Sequence, residues 1–234
     1  MISADYSALL TEKHNTDAEW GASGVKFADR VIPLIMQTES ATVIDYGCGK
    51  GALAAQVKAE TGIACTLYDP GIPDHSTPPK DPADIVICTD VLEHVEPELL
   101  DNVLEHIAHL TKKAAYLIIY TGDCGHKLPD GRPAHLIQEP QGFWEPQGFW
   151  EARILEVFGE YFNFTFSRMF EGKRIEVIAE RRSEPMSDDE RQTRADILEG
   201  LKDPEPDLSA IDDVESNVDM PKGGMFGGLY REEG

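Results

Sequence analysis

Apolar residues along this chain fall into short continuous runs separated by stretches of helical spacing. The runs ATVIDYG (41–47), IACTLYD (63–69), ADIVICT (83–89) and AAYLIIYT (114–121) are rich in β-branched and apolar residues. Each is bounded by turn-forming or polar residues, so each predicts a buried strand. Between them, 51–60 (GALAAQVKAE) and 91–111 predict helices, the second with Val95, Leu99, Val103, Ile107 and Leu110 as its apolar positions. Residues 25–37 predict a further helix, started or interrupted by Pro33. Downstream, 148–162 predicts a helix, and 163–170 and 174–182 predict strands joined as a hairpin around Glu171-Gly172-Lys173. Residues 1–25 carry no such period and read as an ordered but irregular lead-in, with His14, Asn15, Trp20 and Gly21 as a candidate lid. Strands that alternate with helices imply a parallel sheet covered on both faces. The fold class is therefore α/β, a mainly parallel sheet closed by a C-terminal antiparallel hairpin.

The composition shifts at Ser183. Acids, Pro and Gly dominate from there to residue 234, with one capped helix predicted over 187–201 from Ser187 and Glu190. The rest buries too little apolar surface to offset its ordering entropy. The reading is one domain over 1–182, including a lead-in at 1–24, followed by an acidic, largely flexible tail at 183–234. The whole chain carries 43 Asp and Glu against 21 Lys and Arg, a formal charge of −22. That balance disfavours nonspecific nucleic-acid binding, which leans on cations at the phosphates, and makes a basic protein the natural partner for the tail. No apolar run is long enough to span a bilayer, and the N-terminus lacks the pattern of a secretory signal, so a cytoplasmic protein is expected. Cys48, Cys65, Cys88 and Cys124 have no metal-knuckle or redox spacing and are expected to be reduced.

The chemistry concentrates in VIDYGCGKGALA (43–54). A buried strand enters a turn with Gly47, Gly49 and Gly51, and a helix follows. Glycine there allows a sharp turn and close backbone approach to a ligand. Asp45, two residues before the first glycine, would repel a diphosphate and welcome an ammonium. Asp69, at the end of the next strand, suits a pair of ribose hydroxyls. TDVLEHV (89–95) follows the strand expected beside the first.

These residues, V-I-D45-Y-G47-C-G49-K-G51, L-Y-D69 and D84-I-V-I-C-T-D90-V-L-E93-H94-V, resemble the class I S-adenosylmethionine-dependent methyltransferases, especially the small-molecule branch of ubiquinone-type O-methyltransferases. The likeness covers 41–121 by motif and 148–182 by pattern. It implies a Rossmann-like fold and S-adenosylmethionine as cofactor. The implied cofactor-binding residues are Asp45, Tyr46, Gly47, Cys48, Gly49 and Gly51, then Tyr68, Asp69 and Pro70, then Thr89, Asp90, Val91 and Leu92. It implies transfer of a methyl group to a small molecule; the alternatives are a nucleobase or nucleotide acceptor, or a non-catalytic cofactor-binding module. In the resembling enzymes an acid-x-x-Glu-His cluster can hold a divalent cation. Asp90, Glu93 and His94 have that spacing, but packing and capping explain Leu-Glu-His equally and no metal is assigned.

One departure stands out. Only PGIPDHSTPPKDPA separates Asp69 from the following strand, and its five prolines exclude the helix and strand such domains usually place there. The residue that usually recognises adenine is missing with them, leaving Asp74, Thr89 or backbone groups as substitutes. For the acceptor, the polar loop 122–138 offers His126, Asp130, Arg132 and His135, with His135 the best candidate base or contact. Glu93 and His94 complete the candidate catalytic set, at the start of the helix 91–111. His106 and His109 are expected to face solvent. The duplicated EPQGFW (139–144 and 145–150) brings Phe143, Trp144, Phe149 and Trp150 close to this end.

Overall fold

A computed structural model describes residues 2–122, 124–138, 145–170, 172–202 and 230–232. Its centre is a sheet of β1 (Val43–Tyr46), β2 (Cys65–Tyr68), β3 (Ala83–Thr89), β4 (Thr111–Tyr120), β5 (Phe162–Met169) and β6 (Arg174–Arg181), extended by a short β7 (Tyr230–Glu232). The spatial order is β2-β1-β3-β4-β6-β5-β7. β2, β1, β3 and β4 run parallel, β6 is antiparallel to both β4 and β5, and β7 lies parallel to β5. All six expected strands are present, and no strand occurs among residues 70–82, where a 3-10 turn at Pro73–His75 replaces the usual helix and strand.

The two-residue alternation of the strands splits the core. Val86 and Cys88 of β3 and Ala115, Leu117 and Ile119 of β4 face α4 (Leu100–Leu110) and α5 (Glu145–Phe158). Ile85, Ile87, Tyr116 and Ile118 face α2 (Ala28–Gln37) and α3 (Ala52–Thr61). Burial on both faces is why these runs read as continuous apolar stretches. Pro33 lies inside α2 without ending it, because Val31, Leu34 and Ile35 are buried on both sides of it.

The structure corrects four expectations. The lead-in is not irregular: α1 (Ala4–Thr16) occupies most of it, capped by the Ser3 hydroxyl, which accepts from the Tyr6 amide at 3.3 Å. The helix expected at 91–111 begins only at Leu100. Asp90 is left-handed (φ 53), 3-10 turns span Leu92–His94 and Pro97–Leu99, and Pro97 bars a regular helix through Glu96. Glu93 and His94 therefore sit on a tight turn. His106 is half-buried rather than solvent-facing, with ring nitrogens 3.1 Å from the Tyr46 hydroxyl and 3.1 Å from the Pro79 carbonyl. Finally, α5 starts at Glu145, so the second EPQGFW copy is helical and carries the buried Trp150. The first copy, with Phe143 and Trp144, lies outside the described residues.

Beyond β6, α6 (Asp188–Lys202) has the expected capping box, with the Ser187 amide donating to Glu190 at 2.8 Å and the Glu190 amide to Ser187 Oγ at 3.4 Å. It is tied to the domain by Arg182–Glu190 and Arg191–Glu160 ion pairs.

Candidate active site

β1 has β2 on one side and β3 on the other, so the connections leave in opposite directions. The crevice at their carboxyl ends is where open α/β sheets bind ligands. A cavity of about 470 Å³ opens there. Its floor is the glycine turn. Gly47, Gly49 and Gly51 all have positive φ (76, 49 and 73°). At Gly49 a Cβ would lie 2.3 Å from the Gly21 carbonyl oxygen, and at Gly47 one would lie 2.3 Å from a Val91 methyl. The turn is held by Gly47 and Cys48 amides donating to the Tyr68 carbonyl at 2.7 and 3.0 Å.

Two carboxylates face this floor. Asp69 accepts from the Gly49 amide at 2.8 Å with one oxygen and from the Gly71 amide at 2.8 Å with the other, bracing both turns. Asp45 is 3 % exposed, and its Oδ2 is buried without a partner. Burial, and then the charge of Asp69, push its carboxyl up to about 7. A buried carboxyl with one partnerless oxygen at the edge of a glycine cradle suits a cationic group of an extended ligand.

The roof is the N-terminal segment. The Lys50 amide donates to the Gly21 carbonyl at 2.8 Å, and Lys50 Nζ donates to the Asp17 carbonyl at 2.9 Å and to that of Ala18. Behind this strap, His14 lies 3.8 Å from Asp69, with burial lowering its pKa, and Trp20 packs edge-on against His94 at 5.1 Å. Asn15 is exposed.

The far end of the cavity is polar. Lys26 and Arg174 converge on Asp90 at 2.7 and 2.9 Å. Burial opposes ionisation of Asp90, but the two cations outweigh it and hold its carboxyl below the ordinary range. Glu93 is fully buried. One oxygen accepts from the Tyr120 amide at 3.2 Å and the other has no partner; burial, then Asp90, raise its pKa well above the ordinary value. His94 Nδ1 lies 2.7 Å from the Ala134 carbonyl, and burial lowers its pKa. His135 packs against His94 at 4.6 Å and Tyr120 at 5.2 Å, and burial followed by His94 lowers its pKa to about 4.

A family model described as a methyltransferase domain matches residues 14–181. The chain belongs to the methyltransferase family. Its fold is that of the class I S-adenosylmethionine-dependent methyltransferases, and the cradle and the partnerless Oδ2 of Asp45 fit that cofactor. Among solved structures, the chain is similar to the 1,6-didemethyltoxoflavin-N1-methyltransferase of Burkholderia thailandensis with bound 1,6-didemethyltoxoflavin and S-adenosylhomocysteine. That likeness has a TM-score of 0.53 at 16% identity over 79% of this chain and 92% of that one, a likeness of fold. It is also similar to an O-methyltransferase family protein from Burkholderia thailandensis (17% identity, 73% of this chain, TM-score 0.48) and to human N-acetylserotonin methyltransferase in complex with SAM (19%, 67%, 0.44). The methyltransferase spans only 62% and 52% of those two proteins' lengths. No curated protein sequence matches it significantly.

Of the residues expected to bind cofactor, Asp45, Gly47, Cys48, Gly49, Asp69 and Pro70 line the cavity, as do Thr89, Asp90 and Val91. Tyr46, Gly51, Tyr68 and Leu92 do not. Tyr46 and Tyr68 stack edge-on in the core at 4.8 Å, Leu92 is fully buried, and Gly51 sits beneath Leu67 where α3 meets the sheet. Asp74 is exposed on its turn, away from the cavity, which leaves Thr89 and backbone groups as the adenine partners from the earlier set. Glu93, His94 and His135 come together at the far end. Lys26, Tyr120 and Arg174 join them there without a local sequence signal.

Proposed function

We propose that this methyltransferase acts on a small-molecule acceptor held at the Glu93–His94–His135 end of the cavity, with the cofactor's amino-acid end at Asp45 and its ribose at Asp69. The observation that carries this reading is the shape of the cavity: residues of α1, the Gly21 strap and loop 122–138 wall it into a pocket of about 470 Å³, which suits a small molecule better than a polymer. The cofactor supplies an activated methyl on a sulfonium. The chain's own part is alignment: the glycine cradle fixes the cofactor, and the far end orients the acceptor and excludes water. Among the described residues no helix is long and apolar enough to cross a membrane, and the four cysteines are free thiols, which suits a reducing cytoplasm. The acidic tail remains a docking point for a basic protein, supported by its charge alone.

The test is incubation with methyl-labelled S-adenosylmethionine and a cell extract fractionated into small metabolites, nucleic acids and proteins. Label should enter the small-metabolite fraction. Label confined to nucleic acid or protein would overturn the reading.

The same proposal places the domain boundary at Arg182. Every described residue lining the cavity lies between Ile2 and Arg174. Truncation after Arg182 is therefore expected to leave cofactor affinity within about twofold by calorimetry, since termini outside the site contribute little to it. The melting temperature of the truncated form reports separately on what α6 and β7 add to the sheet edge.

A further inference from the structure

We propose that the acceptor carries a carboxylate, bound at the far end of the cavity between Arg174 Nη1 and Lys26 Nζ. This deepens the reading of that end as the acceptor's and rests on it. Both side chains line the cavity, and both meet Asp90 there. Two cations on one acid leave a net positive charge. Burial keeps the neighbouring Glu93 carboxyl protonated and the His94 and His135 rings neutral, so none of the three offsets it. The acids Asp45 and Asp69 stand at the glycine cradle instead. In a chain with 43 acids against 21 bases, an uncompensated positive charge inside the ligand cavity calls for an anionic ligand.

Each cation keeps a donor in hand. Arg174 opens β6 opposite Tyr120, at the carboxyl end of β4. Its Nε and Nη2 donate to the two oxygens of Asp90 at 2.9 and 3.1 Å. Nη1 has no hydrogen-bond partner among the described residues and is not sealed from solvent. Rings hold the guanidinium in place: it lies 4.6, 5.2 and 6.0 Å from the centroids of Tyr120, Phe170 and Phe27. Lys26 comes from the 3-10 turn Ser23–Phe27 and gives Asp90 one of its three N–H bonds, at 2.7 Å. Its side chain is 34 % exposed, which leaves the other two within reach of a ligand. Asp90 therefore orients both cations rather than cancelling them.

A carboxylate matches this pair in number and charge. Two charged donors suit its two oxygens, and one negative charge meets the net positive one. A phosphate monoester carries about −1.5 to −2 near neutral pH and would be left partly uncompensated. A neutral acceptor would leave the positive charge itself without a counterion.

The experiment uses the full chain saturated with S-adenosylhomocysteine, titrated by calorimetry with benzoate and with its neutral isostere benzamide. Benzoate should bind about tenfold more tightly or better. Lys26→Met and Arg174→Gln should each cut that preference to about threefold or less. The ratio is the decisive readout, because a merely structural role would weaken both probes together. Lys26→Met, on a partly exposed side chain, tests the site if Arg174→Gln does not fold. Equal affinity for the two probes, no benzoate binding at millimolar concentration, or a preference unchanged in both variants would overturn the proposal. A metabolite extract split at neutral pH on an anion-exchange resin provides the second arm. With methyl-labelled S-adenosylmethionine, label should follow the retained fraction and survive its treatment with phosphatase. It should be lost once the carboxylates of that fraction are amidated with carbodiimide and methylamine. Label from the unretained fraction only, or lost on phosphatase treatment, would overturn the carboxylate and leave the small-molecule reading standing. Label confined to nucleic acid or protein would overturn both.

Discussion

Gly49→Val is expected to abolish measurable binding of S-adenosylmethionine. The glycine has φ 49, and a Cβ built on it lies 2.3 Å from the carbonyl oxygen and 2.6 Å from the Cα of Gly21. Both obstacles are backbone, so no rotamer change relieves them. A side chain in the left-handed region adds a cost of about 1–2 kcal/mol, more for a β-branched residue. The turn and the Gly21 strap must separate, which breaks the hydrogen bond from the Lys50 amide to the Gly21 carbonyl and pulls the Gly49 amide from Asp69. Cofactor affinity should fall more than 100-fold by calorimetry, with a lower melting temperature. Gly62→Ala is the control. It is also left-handed (φ 77) but ends α3 with nothing within 4 Å of a Cβ, so it should cost stability of about 1 kcal/mol and leave binding alone. Equal losses of binding in the two variants would mean that left-handed strain, rather than closeness to the strap, decides the outcome.

Asp69→Ala carries the second large effect. The side chain is a bracket before it is a ligand contact: it joins the Gly49 and Gly71 amides, and its removal leaves two buried donors unpaired. Each hydrogen bond to a charged group contributes about 1.5–3 kcal/mol, so loss of the bracket together with the proposed ribose contacts should reduce cofactor affinity by two orders of magnitude or more. Asp69→Asn retains shape and one acceptor oxygen, and should recover part of the affinity. Calorimetry on both variants, with melting curves, separates the two roles. Unchanged affinity in Asp69→Ala would remove Asp69 from the cofactor site.

The sheet and the glycine turn were legible because their signals are local. Runs such as ADIVICT are apolar on both faces, and only glycine serves at a position like 49. The proline-rich segment after Asp69 likewise announced the missing helix and strand by itself. α1 was not legible. Its inward line is Tyr6, which is buried, with the half-buried Leu10 and His14, flanked by Thr, Glu and Lys, and its packing comes from Leu128 and Ala134 of a distant loop rather than from its own periodicity. The 91–111 segment misled because its apolar spacing runs unbroken through Pro97, while a left-handed Asp90 and two 3-10 turns bend the chain. That bend turns Glu93 inward and sets His94 against His135. Lys26 and Arg174 had no legible role, since their meeting at Asp90 depends on where the fold sets the 3-10 turn Ser23–Phe27 and the start of β6.

Asp45 is the proposed partner of the cofactor's ammonium, and the pH dependence of cofactor binding tests that role directly. Burial and Asp69 push this carboxyl up to about 7, while the surrounding thiols of Cys48, Cys65 and Cys88 are themselves raised and stay protonated. The sign follows from linkage. A raised folded-state pKa stabilises the free fold at low pH, a contribution lost as pH rises through about 7, whereas the ligand needs the carboxylate. Calorimetric titration of wild type with S-adenosylmethionine between pH 5.5 and 8.5 should show affinity rising by up to about tenfold per unit below pH 7 and levelling above it. Asp45→Asn should bind more weakly at pH 8 and lose most of that slope. Wild-type affinity that is flat across this range, or an Asp45→Asn protein that keeps both the affinity and the slope, would contradict the account.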